Sequence, residues 1–183
     1  FKELIEGFED IVKIITVAPE LKGATDLIKI IADSGFIVSM GHSDATYSEA
    51  EAGYNAGAKG ITHIFNAMRG FHHREPGIAI FGLLNKDIYI EVIADPYHLH
   101  PITLDMIFRI KNHERIILIS DTVKETMGTL PFGNYKQTSI PSTGVTDSHG
   151  KLLGGFMTVV ESAKRLIDIG YDKDLIIKTI TEN

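Results

Sequence analysis

Two histidines spaced one structural unit apart have the residue type and placement to bind a cation. His42 ends the run Phe36-Ile37-Val38-Ser39-Met40-Gly41-His42, and His63 lies in Gly60-Ile61-Thr62-His63-Ile64-Phe65. Each stands at or near the end of a short apolar segment that reads as a buried strand. A helical stretch from Tyr47 to Gly57 lies between them. Imidazoles at equivalent positions of consecutive parallel strands would converge on one edge of a sheet. Asp121, which ends Ile117-Leu118-Ile119-Ser120-Asp121, is a third polar residue at a strand end. Such a set suits hydrolysis, in which a cation acidifies a water and a carboxylate takes its proton. The plainer alternatives are a hydrogen-bonded structural histidine and a turn or cap aspartate. Spacing alone leaves both open.

Composition narrows the chemistry. The chain has no cysteine, so disulfides and thiolate metal sites are excluded. Any metal must be held by His, Asp or Glu, which suits zinc, iron or manganese. The net charge is −6 and basic residues form no block, so a nucleic-acid partner is not expected. No apolar run reaches the length of a membrane span and no secretory signal opens the chain, so no membrane partner and a cytoplasmic location are expected.

The elements that must position these residues alternate between strand and helix. Strands are predicted over residues 11–17, 36–40, 60–64, 88–94 and 115–120. Helices are predicted over 21–33, 46–56 and 101–112. Thr46 with Glu49 has the form of a capping box, and Pro101 suits a first helical turn. Strand starts recur about every 25 residues, a common length for a βα unit. Apolar runs such as Ile116 to Ile119 suit parallel strands covered on both faces.

Regular βα repetition leaves a closed barrel or an open doubly wound sheet. No glycine-rich phosphate fingerprint occurs. Polar residues at several strand ends (His42, His63, Asp95 with His98, and Asp121) favour an α/β (β/α)8 TIM-like barrel. Five to six strands cannot close one. The expectation for 1–183 is therefore a partial barrel domain, with early strands upstream. Residues 122–157 break the repeat; Gly128, Pro131, Gly133 and Pro141 mark a long loop or small hairpin. Two last helices are predicted over 158–169 and 172–179.

Several runs occur in order: Val17-Ala18-Pro19-Glu20, Gly41-His42-Ser43-Asp44-Ala45-Thr46, Thr62-His63-Ile64-Phe65-Asn66-Ala67-Met68, Arg74-Glu75-Pro76-Gly77, Ile93-Ala94-Asp95-Pro96-Tyr97-His98 and Ile119-Ser120-Asp121-Thr122. Together they resemble N-acetylglucosamine-6-phosphate deacetylases of the amidohydrolase superfamily, over about residues 10 to 180. The resemblance implies a metal-dependent hydrolase barrel and removal of the acetyl group from N-acetylglucosamine 6-phosphate. It implies one or two divalent ions, zinc or iron. His42 and His63 match metal ligands, and Asp121 matches the catalytic aspartate. Asn66, Ala67, Arg74 and His98 match substrate-binding residues, Arg74 for the phosphate. A guanidinium fork suits a phosphate dianion.

In that family the arginine serves a neighbouring subunit, so a homodimer is implied. Leu152-Leu153-Gly154 matches a loop that closes on the sugar. It departs from the family pattern, because Gly155 stands where a serine is usual. The family's metal-binding glutamate, its first-strand motif and its flanking β-sandwich have no counterpart in residues 1–183. Other readings are a different amidohydrolase (another amino-sugar deacetylase, a dihydroorotase-like enzyme or an aminoacylase) and a non-catalytic binding module. A neutral substrate would have no need of Arg74. His72, His73, His100, His113 and His149 read as surface residues without a role.

Overall fold

The computed structural model describes residues 1–123, 145–146 and 149–183. It divides into two compact units, Phe1–Glu91 and Val92–Asn183.

The first unit opens with a short helix α1 (Lys2–Ile5), then β1 (Ile14–Val17), α2 (Ala24–Asp33), β2 (Ile37–Met40), α3 (Tyr47–Asn55), β3 (Gly60–Ile61) and α4 (Gly77–Leu84). Strand β4 (Tyr89–Ile93) follows, and its first residues complete the unit. The order is β1-β2-β3-β4 and these pairings are parallel. Met40 pairs with Ile61, and Ile61 with Ile90. Ile28 and Ile31 of α2 are buried, as are Val38, Met40, Ile61, Ile78, Phe81 and Ile90. Each such side chain contributes roughly 1.5–3 kcal/mol. The core therefore lies between sheet and helices, and strand ends are left for other work.

Element ends follow from local chemistry. Thr46 and Glu49 form the expected capping box before α3. Helix α2 starts at Ala24 rather than Leu21, because Gly23 precedes it at φ +81°. Strand β1 starts at Ile14 rather than Ile11; Ile11 and Val12 donate their N–H groups to Phe8 O in a turn. Strand β3 is only two residues long, since His63 and Phe65 have left-handed backbones at φ +32° and +71°.

Helix α4 was not expected. Its segment Gly77-Ile-Ala-Ile-Phe-Gly-Leu-Leu is apolar on every side and shows no amphipathic period. Pro76-Gly77 reads as a turn, yet it starts this buried helix.

In the second unit, β5 (Ile116–Ile119) lies beside the end of β4. Helix α5 (Pro101–Ile110) and a 3-10 turn (His113–Arg115) precede β5. After it come β6 (Val145–Thr146), β7 (Leu152–Gly154), α6 (Val159–Asp168) and α7 (Lys173–Thr181). Strands β6 and β7 pair antiparallel, which bears out a hairpin in this region. The turn-rich stretch 128–143 lies outside the described residues. Both α6 and α7 pack on β5. Thr158 and Glu161 form a second capping box, at the start of α6. No described helix is long and apolar enough to cross a membrane.

Candidate functional site

Register alone sets the two histidines opposite each other. Met40 pairs with Ile61, so two residues further on His42 meets His63. Gly41 makes this approach possible: a Cβ there would lie 2.7 Å from Thr62 Cβ. The ring nitrogens face each other, Nε2 to Nε2, at 2.8 Å, with ring planes 75° apart. His63 is buried and His42 exposed. At this distance one Nε2 carries a proton and the other accepts it.

Both histidines have strained backbones. Among the described residues, the non-glycine positions with positive φ are His42 (+48°), His63 (+32°), Phe65 (+71°), Ala67 (+47°) and Asp121 (+48°). Such conformations cost about 1–3 kcal/mol each and persist only where neighbours hold them.

The neighbours are visible. Glu20, after β1, accepts from Ser43 Oγ at 2.6 Å and from the Asp44 N–H at 2.7 Å. Ser43 N–H donates to Ala67 O, and Arg69 N–H to Ser43 O. The Arg69 guanidinium donates to Asp44 O at 2.6 Å and to its carboxylate at 2.9 Å. Thr62 Oγ1 donates to Ser39 Oγ at 2.7 Å and lies 3.1 Å from Thr16 Oγ1. These bonds zip the His42 segment to the His63 segment.

Asn66 donates from Nδ2 to His63 O and Ile64 O at 3.3 and 3.2 Å, closing the turn after His63. It caps no helix. Arg74 is exposed, with Nη1 2.9 Å from His73 Nε2. His72 and His73 stack beside it, with centroids 4.4 Å apart. Among the described residues Arg74 forms no ion pair with a carboxylate.

The second unit carries Asp121, His98 and Leu152–Gly154. Asp121 is exposed, just past β5. Gly155 N–H donates to Asp121 O at 2.7 Å. A Cβ on Gly155 would lie 1.6 Å from Ser120 O, so this backbone cannot carry a serine there. The departure from the family pattern is therefore built into the packing. Leu152–Gly154 is strand β7, with Leu153 exposed.

His98 holds Asp95 by Nδ1 at 2.8 Å, and both side chains are buried. Burial pushes the Asp95 carboxyl up. Its hydrogen bonds from His98 and the Phe156, His98 and Tyr97 N–H groups outweigh this and hold its pKa at about 2. Sequence reasoning noted Asp95 and Glu20 without assigning either a task. The three-residue spacing of Asp95 and His98 was the available signal for the first.

Two facing imidazoles are a suitable donor set for zinc or iron. Among the described residues no group of three or more His, Cys, Asp or Glu is placed to hold a metal. The pair therefore fits part of a coordination shell.

No family model matches the chain. It is 37% identical over 178 residues to an N-acetylglucosamine-6-phosphate deacetylase of Vibrio furnissii, covering 91% of this chain and 44% of that protein. It is 31% identical over 171 residues to an N-acetylgalactosamine-6-phosphate deacetylase of Escherichia coli, covering 91% and 45%. Among solved structures, a mutant N-acetyl-D-glucosamine-6-phosphate deacetylase of Mycobacterium smegmatis, in complex with N-acetyl-D-glucosamine-6-phosphate, superposes with a TM-score of 0.81. Identity there is 26%, over 97% of this chain and 49% of that one. The chain spans less than half the length of the curated relatives it matches. In sequence and in fold, the chain resembles N-acetylglucosamine-6-phosphate deacetylases over the part of them that it spans.

Proposed function

We propose that the protein hydrolyses the N-acetyl group of N-acetylglucosamine 6-phosphate, giving glucosamine 6-phosphate and acetate. The observation that carries this reading is the facing His42/His63 pair on a strained, tightly braced backbone. The names of its relatives support the substrate class. On this reading residues 1–183 are a stretch of a (β/α)8 barrel domain. His42 and His63 would hold a divalent cation, zinc or iron, as part of a one- or two-ion site. The cation, when bound, supplies Lewis-acid polarisation of the acetyl carbonyl and lowers the pKa of a water.

The remaining steps belong to side chains. Asp121 takes the proton of the attacking water and delivers it to the amine nitrogen as the C–N bond breaks. Arg74 pairs with the 6-phosphate, and His98 orients the sugar. Asn66, Ala67 and Leu152–Gly154 complete the substrate contacts. Binding the remote phosphate positions the amide for attack. A homodimer and a cytoplasmic location belong to the same proposal.

A second reading is deacetylation of the galactosamine epimer, favoured by the 31% identity to an enzyme of that name. Turnover on both phosphorylated sugars and on their unphosphorylated forms separates the readings. The expected outcome is strong preference for a 6-phosphate, lost in Arg74→Ala. Equal turnover without the phosphate would overturn the substrate class.

A further inference from the structure

Asp95 is a hub in the second unit for which neither the family resemblance nor the reaction above has a use. Its carboxylate is 1% exposed. Oδ1 accepts the N–H groups of Tyr97 and His98, each at 2.9 Å, closing an Asx-type turn. Oδ2 accepts the Phe156 N–H at 2.8 Å and faces His98 Nδ1 at 2.8 Å. An ionised carboxylate only accepts, so the proton of this last bond sits on Nδ1. In the neutral ring Nε2 then carries a lone pair.

The same carboxylate reaches a second site element. The adjacent N–H groups of Gly155 and Phe156 donate to Asp121 O and Asp95 Oδ2 respectively. One peptide segment thus links the backbone of Asp121 to the Asp95–His98 pair. The Tyr97 and Phe156 rings close it edge to face, with centroids 5.0 Å apart. An Asx turn alone needs no charge, because asparagine makes one equally well. Only a carboxylate serves all four donors.

We propose that Asp95 is a positioning residue that fixes His98 as its Nδ1-protonated tautomer and ties the segment after β7 to the backbone of Asp121. His98 therefore meets its ligand as an acceptor at Nε2, suited to a hydroxyl or N–H of a sugar rather than to a phosphate oxygen. The ligand class rests on the deacetylase reading; the tautomer does not.

The test is the nitrogen-15 spectrum of the histidine side chains in the protein, with His98 assigned by its loss in His98→Asn. The expected result is a protonated Nδ1 and a bare Nε2. In Asp95→Asn, either orientation of the amide turns its NH2 toward other N–H donors. The tautomer should then swap or mix, and exchange of the Phe156 amide hydrogen should speed up at least tenfold. Turnover per KM should fall about 10–100-fold, as for other orienting partners, with metal content unchanged. A His98 protonated at Nε2 in the unmutated protein overturns the proposal even if Asp95→Asn does not fold. Unchanged tautomer and exchange in a folded variant also overturn it. The predicted tautomer in a protein inactive on both acetylated sugar phosphates would sink the deacetylase reading and leave the positioning role standing.

Discussion

The two units each hold a histidine with the help of an acidic residue, and they do so in opposite ways. In the first unit Glu20 never touches a ring; it grips the Ser43 hydroxyl and the Asp44 N–H, beside His42. The imidazoles are left to face each other through Nε2. In the second unit Asp95 grips the His98 ring itself. The difference teaches what each histidine is free to do. Two rings that meet at Nε2 present those nitrogens to one shared point, which suits a pair of metal ligands. A ring bonded at Nδ1 has one nitrogen committed and one defined, which suits reading the polarity of a ligand.

Breaking the first bracing should cost the most. Glu20→Ala leaves the Asp44 N–H and the Ser43 hydroxyl without their carboxylate. The left-handed backbone at His42 then loses a main support. Metal affinity should fall about 10–100-fold, as it does for other residues that orient ligands. Competition with a chelator measures it. An affinity within twofold of wild type would remove Glu20 from the account.

The second bracing has a smaller, pH-gated effect. The Asp95 carboxyl is lowered from 3.8 to about 2 in the folded protein. Its contribution is full above pH 3.8 and is lost as pH falls through about 2, a difference of about 2 kcal/mol. Denaturant unfolding at pH 5 and at pH 2 checks this. The stability gap between wild type and Asp95→Asn should shrink at the lower pH. A gap of equal size at both would contradict the sign.

Much of this was legible in the chain. The His42/His63 juxtaposition follows from the register of two short strands and needs only period-two pairing. Helix α3 was legible from Thr46 and Glu49, because a capping box is local chemistry. Helix α4 was not, because a helix that is apolar on every side carries no period to read. The brevity of β3 was hidden for a related reason. Ile61 to Phe65 looks like a strand, and the left-handed turn at His63 is imposed by tertiary bonds such as Ile64 N–H to Glu91 O. The Asp95 hub was half legible. Its bond to His98 spans three residues, but its bond to Phe156 spans 61.

The central claim is that His42 and His63 act together on one cation. Metal content and zinc affinity of His42→Ala, His63→Ala and the double variant test it most directly. The account predicts that either single change lowers affinity severely and that the double change adds little, because two ligands of one ion fail as a unit. Wild-type affinity in either single variant, or losses that simply add, would contradict it.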